Sequence, residues 1–164
     1  MGAVIWLVAV VLLFGTFISI VNWDRWFKKK VPQKVFVPKR GALKTTLERD
    51  LAALILRYRG DTEIKNDDLI NRVCAGHANY MAKSGNHGHD NYPARAASLI
   101  DKGVKEVSEI VSYGYGTAGG FLSGILSSPP HKKILEKEGY THYGLSIKKG
   151  SNDRNYGIII FAKV

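Results

Sequence analysis

The sequence predicts an α/β (α+β) fold, a three-layer alpha-beta-alpha sandwich, preceded by one transmembrane helix. Three observations carry this. Residues 3–21 are apolar and uncharged, helical spacing dominates between residues 43 and 139, and two β-rich stretches close the chain around a turn. The expected organisation is an anchor over residues 1–22, a basic juxtamembrane linker over 23–42, and one domain over 43–164.

The run AVIWLVAVVLLFGTFISIV, from Ala3 to Val21, has the length of a membrane span: at about 1.5 Å per residue it nearly matches a hydrocarbon core of about 30 Å. A cleaved signal peptide would need a basic start, a shorter apolar run and a small-x-small site. Only Met1 and Gly2 precede the run and no such site follows it, so an uncleaved anchor in the lipid bilayer is expected.

The linker holds Arg25, Lys28, Lys29, Lys30, Lys34, Lys39 and Arg40 against Asp24, so most of the net charge of +10 lies beside the membrane. Lys28, Lys29 and Lys30 suit anionic lipid headgroups, and Trp23 and Trp26 suit the interfacial belt. Charge in that place argues for lipid and against nucleic acid as the partner. Pro32 and Pro38 favour an extended stalk. The positive-inside rule, taken alone, puts the domain in the cytoplasm. Cys74 is the one cysteine, which excludes an intrachain disulfide.

In the domain, Leu47, Leu51, Leu54, Ile55 and Tyr58 repeat at helical spacing and predict a helix over residues 43–59. A second helix is expected from an N-cap at Asn66 to a stop near Gly85, with Leu69, Ile70, Val73, Cys74, His77, Tyr80 and Met81 on its apolar stripe. GNHGHDNY is a loop, and Pro93 opens a short helix that ends at Gly103. Lys105 to Tyr113 alternates as a strand. A glycine-rich loop, the helix FLSGILSS, and a helix capped by Ser128 and ended by Gly139 follow. THYGLSIKK and NYGIIIFAKV, joined by GSNDR, are expected to pair antiparallel, and the run Ile158 to Ala162 to be covered on both faces.

Alternation places Glu109 on one strand face with Val107, Val111 and Tyr113, where a carboxylate needs a partner. His131 falls near the third position of its helix, where the dipole favours a neutral ring able to act as base or ligand. His87 and His89 share the loop as His-x-His. His77 lies on the apolar stripe with no i, i+4 ligand and reads as a core histidine. The expected cleft is lined by His89, Glu109 and His131.

The order of motifs is CAGHANYMA at residues 74–82, then Gly88-His89-Asp90 with Arg95, then the strand Glu109, then Ser-Pro-Pro-His at 128–131. It resembles the CAP superfamily of cysteine-rich secretory proteins, antigen 5 and pathogenesis-related 1 proteins. The likeness is to the compact bacterial-type SCP domain without disulfides, and it runs over about residues 45–163. The resemblance implies a sandwich of CAP type with a central cleft where two histidines and two acidic residues converge, and where several members bind a divalent metal. By position, His89 and His131 would be the histidines and Glu109 the first acid. A metal such as zinc would then take His89, His131 and Glu109, with His87 as a further candidate; no other cofactor is implied. The same three residues, Glu109, His131 and His89, are the catalytic candidates. Ile110 follows Glu109 where Asn is usual, Ile125 stands where many members have Trp, and no residue takes the place of the second acid.

The expected function is therefore a membrane-anchored binding module whose cleft holds a divalent metal or a small or lipid ligand, with a lipid or protein as partner. A metal-assisted protease or cell-envelope hydrolase using the same cleft, and a docking module with a vestigial cleft, are the alternatives. No G-x-S-x-G nucleophile motif is present, and the incomplete constellation favours binding over catalysis. Resemblance places the domain outside the cytoplasm, against the basic flank, and weighs slightly more.

Overall fold

The computed structural model describes Leu43, residues 45–60 and residues 63–164. The expected anchor and linker lie outside the described residues. Among the described residues, no helix is long and apolar enough to cross a membrane.

Helix α1 (Thr46–Arg59) starts later than residue 43, because Thr45 and Glu48 form a reciprocal capping box. Strand β1 (Lys65–Asn66) is a two-residue element that the alternation pattern is too short to reveal. It absorbs Asn66, so Asp67 rather than Asn66 caps α2 (Asp68–Ser84), accepting from the Ile70 N–H at 2.9 Å. Gly85 ends α2 in the left-handed region at φ 74°, which a side chain would strain. Helix α3 (Tyr92–Ile100), strand β2 (Glu106–Tyr113), helix α4 (Ala118–Ser127) and helix α5 (Pro129–Glu136) follow. Ser128 is the N-cap of α5 as expected, but the helix closes at Lys137, ahead of Gly139. Strands β3 (His142–Lys149) and β4 (Asn155–Lys163) complete the domain.

The sheet order is β1-β3-β4-β2, antiparallel except for the parallel β1/β3 contact. Side chains alternate across β4. Ile159 and Phe161 enter one core with Leu51, Ile55, Phe121, Ile125 and Leu135 of α1, α4 and α5. Ile158, Ile160 and Ala162 enter a second core with Ile70, Cys74, Ala78, Met81 and Leu99 of α2 and α3. The sheet therefore carries helices on both faces, and the expected two-sided burial of residues 158–162 follows from it. Gly144 lets α2 lie close against β3: a Cβ there would sit 2.6 Å from the Asn71 nitrogen and the Ile70 carbonyl carbon. Tyr80, expected on the buried stripe of α2, instead lies 42% exposed at the stripe's edge.

β3 is nearly an edge strand, because β1 covers only its first residues. The β1 segment takes the Thr141 and Tyr143 carbonyls through the Lys65 and Asp67 N–H groups. Beyond it, Asn71 Oδ1 accepts from the Leu145 N–H and Glu48 Oε1 from the Ile147 N–H, at 2.9 and 2.8 Å. Two side chains thus complete the work of a missing strand.

Candidate histidine cleft

β2 lies at the other edge of the sheet, and there the loop before α3 and the first turn of α5 meet. Glu109 points to the α2/α3 side of β2, as the alternation requires, and its side chain is 1% exposed. Its carboxylate is satisfied by three donors. Arg95 on α3 approaches edge-on, with Nε 2.9 Å from Oε2 and Nη2 2.8 Å from Oε1, and His89 Nδ1 donates to Oε1 at 2.9 Å. A bidentate guanidinium and a fixed imidazole are what make burial of this carboxylate tolerable.

The same bonds fix His89. A carboxylate oxygen only accepts, so Nδ1 carries a proton, and in the neutral form of the ring Nε2 is the free nitrogen. The side chain is 49% exposed, and its ring lies 6.1 Å from that of His131, centroid to centroid and edge to face. Tyr92 packs at its other side, with centroids 6.5 Å apart, and donates to the Val107 carbonyl at 2.8 Å. Arg95 also donates to the Asp90 carbonyl, and His77 Nε2 donates to the Gly88 carbonyl at 2.8 Å. The residues on either side of His89 are therefore tied down. His77 is the buried core histidine with a backbone partner that its place on the stripe suggests.

His131, at the third position of α5, has its pKa lowered from 6.5 by burial first and by neighbouring His89 second. In their neutral form two imidazoles can share a cation, or accept protons from a polar ligand.

His89, Glu109 and His131 come together as expected; His87 does not join them, and stacks instead on Tyr113 with centroids 4.6 Å apart. The anticipated three-ligand metal set does not assemble. Among the described residues no three His, Cys, Asp or Glu side chains lie so as to hold a metal ion, and both oxygens of Glu109 are already committed. Among the described residues no second acid joins the pair; Asp90 accepts from Tyr80, Glu106 from Lys137, and Glu136 from Tyr58. Arg95 and Tyr92 are the residues that sequence reasoning left out of the cleft. The signal for Arg95 was the need of Glu109 for a partner. Cys74 is fully buried, and burial pushes its thiol far up, which removes it as a nucleophile.

Comparison with known proteins agrees with this architecture. An outer surface protein from Borrelia burgdorferi is similar at a TM-score of 0.62 and 19% identity, over 75% of this chain and 98% of that one. An extracellular protein containing a SCP domain from Bacillus anthracis is similar at 0.59 and 18%, over 71% of this chain and 40% of that one. A cysteine-rich secretory protein from Staphylococcus aureus is similar at 0.56 and 18%, over 70% of this chain and 37% of that one. The chain thus spans well under half the length of the latter two. No curated protein matches it by sequence. The family model of the cysteine-rich secretory proteins matches residues 19–162, from within the expected anchor almost to the end of β4. Matched over most of its length, this chain belongs to the CAP family, the cysteine-rich secretory protein family.

Proposed function

We propose that the chain is a membrane-anchored binding module, held in the bilayer by residues 3–21 and facing away from the cytoplasm. Its cleft receives a small or lipid ligand between His89 and His131. The observation that carries this reading is the buried clamp of Arg95 and Glu109 on His89 Nδ1, which leaves Nε2 free beside His131. Lys28, Lys29 and Lys30 would meet anionic headgroups at the membrane surface. The outer-surface and extracellular descriptions of the similar proteins support the chosen side.

A divalent metal fits this cleft only in part. The His89 and His131 imidazoles, in their neutral form, would supply two of the four positions a zinc ion takes, and the rest would come from ligand or water. Glu109 orients one of those imidazoles and does not itself bind the ion. A bound ion would supply Lewis acidity toward an oxygen of the ligand. Calorimetric titration of the full-length chain with zinc should show one site that both His89→Ala and His131→Ala abolish. Equal affinity in the wild type and the two variants would remove metal from the account.

Hydrolysis is the weaker reading, because the carboxylate best placed to activate water has both oxygens occupied by Arg95 and His89. Peptide, ester and cell-envelope substrates should go unturned. Turnover that Glu109→Gln abolishes would reverse the order of the two readings.

A further inference from the structure

A second concavity, an open groove of about 450 Å³, lies between α2 and α3. His89, Glu109 and His131 do not line it, although Arg95 reaches from its wall to Glu109. Arg72, Gly76, His77 and Tyr80 face it from successive turns of α2. The space beside Gly76 is open: a Cβ there would meet nothing within 4 Å. Tyr80 forms a wall. One face of its ring stacks on His77, with centroids 5.7 Å apart and planes at 17°, and its hydroxyl donates to Asp90 Oδ2 at 3.0 Å.

Most of the lining is polar, and His77, Tyr80, Arg95 and Ser98 already hold partners within the domain, which leaves Arg72, Asn91 and the rest of the Asp90 carboxylate to meet a ligand. Arg72 has no ion pair among the described residues, although Asp68 stands four residues before it on α2. Asn91 precedes α3 without capping it through its side chain. Asp90 shows a single side-chain bond, the one from Tyr80. A wholly apolar ligand would desolvate all three without replacing their water. A multiply charged anion would meet the Asp90 carboxylate as well as Arg72.

We infer that this groove is a second binding site, separate from the histidine cleft, and that it takes a sugar bearing a carboxylate. The C–H face of a pyranose ring lies against an aromatic wall such as Tyr80. The carboxylate of Asp90 and the amide of Asn91 match vicinal hydroxyls, as acceptor and donor. The planar guanidinium of Arg72 matches a carboxylate with two parallel N–H bonds.

Saturation-transfer NMR on the full-length chain in nanodiscs, with glucuronate, glucose and acetate as probes, tests the assignment. Glucuronate should receive saturation through its ring protons and saturate with concentration. Arg72→Gln should weaken it by about tenfold, and Tyr80→Ala should weaken both glucuronate and glucose. His131→Ala should leave all of them unchanged, and near-UV circular dichroism confirms that each variant is folded. No saturable transfer to glucuronate overturns the proposal. So does equal transfer in wild type, Arg72→Gln and Tyr80→Ala, or competition by acetate as strong as that of glucuronate. Loss of transfer in His131→Ala alone would place the sugar in the histidine cleft and equally overturn it.

Discussion

At the scale of single residues, the cleft depends on a carboxylate that would be intolerable alone. Glu109 is 1% exposed and relies on Arg95 at 13% exposure, so Arg95→Ala leaves a buried carboxylate with His89 as its one remaining side-chain partner among the described residues. Breaking a buried pair from one side costs about 3–5 kcal/mol, and Arg95→Lys should restore little because a point charge cannot bond edge-on. Urea unfolding of wild type and both variants measures this. His131 titrates below 6.5, chiefly because it is buried. The unfolded chain therefore takes up a proton first as the pH falls, and this ring's contribution to stability is lost from about 6.5 downward through its folded value. NMR titration of the imidazole should find the low midpoint, and His89→Ala should move it up while leaving it below 6.5. A midpoint unmoved by His89→Ala would mean that the two rings do not sense each other. The need of Glu109 for a partner was legible in strand alternation, but the identity of Arg95 was not. Fourteen residues separate the two in the chain, and only the packing of α3 on β2 brings them together.

At the scale of elements, the long periodic segments were legible because burial of one face sets their period. The ends were not, because caps depend on single side chains. Thr45 with Glu48, and Asp67 in place of Asn66, shift two helix starts by one to a few residues. β1 was invisible for the same reason: two residues carry no period, and its partner lies 77 positions along the chain. The closure of β3 by Asn71 and Glu48 is likewise a long-range use of polar side chains that helical periodicity marks only as interruptions. Asn71→Ala would leave the buried Leu145 N–H without its acceptor and should cost about 1–3 kcal/mol in thermal or chemical unfolding. Gly144→Ala would push a methyl into the backbone of α2 and should cost a similar amount, about 1–3 kcal/mol. A neutral result for Gly144→Ala would show that α2 can move away from the sheet freely.

At the scale of the whole molecule, the family assignment fixes the fold, and the proposed anchor and histidine cleft give it a place and a task. Full-length chain should stay with membranes through carbonate extraction, and removal of residues 1–22 should release it. Recovery of the intact chain in the soluble fraction would contradict the anchor. Protease added to intact cells should cut the domain, and protection would put it on the cytoplasmic side that the basic linker favours. The central claim is that Glu109 orients His89 so that it works with His131 as one site. Nitrogen-15 NMR of the histidine side chains during zinc titration tests this most directly. The account predicts His89 protonated at Nδ1, with the His89 and His131 rings responding together at one equivalent of zinc. His89 protonated at Nε2 instead, or a response confined to one of the two rings, would contradict it.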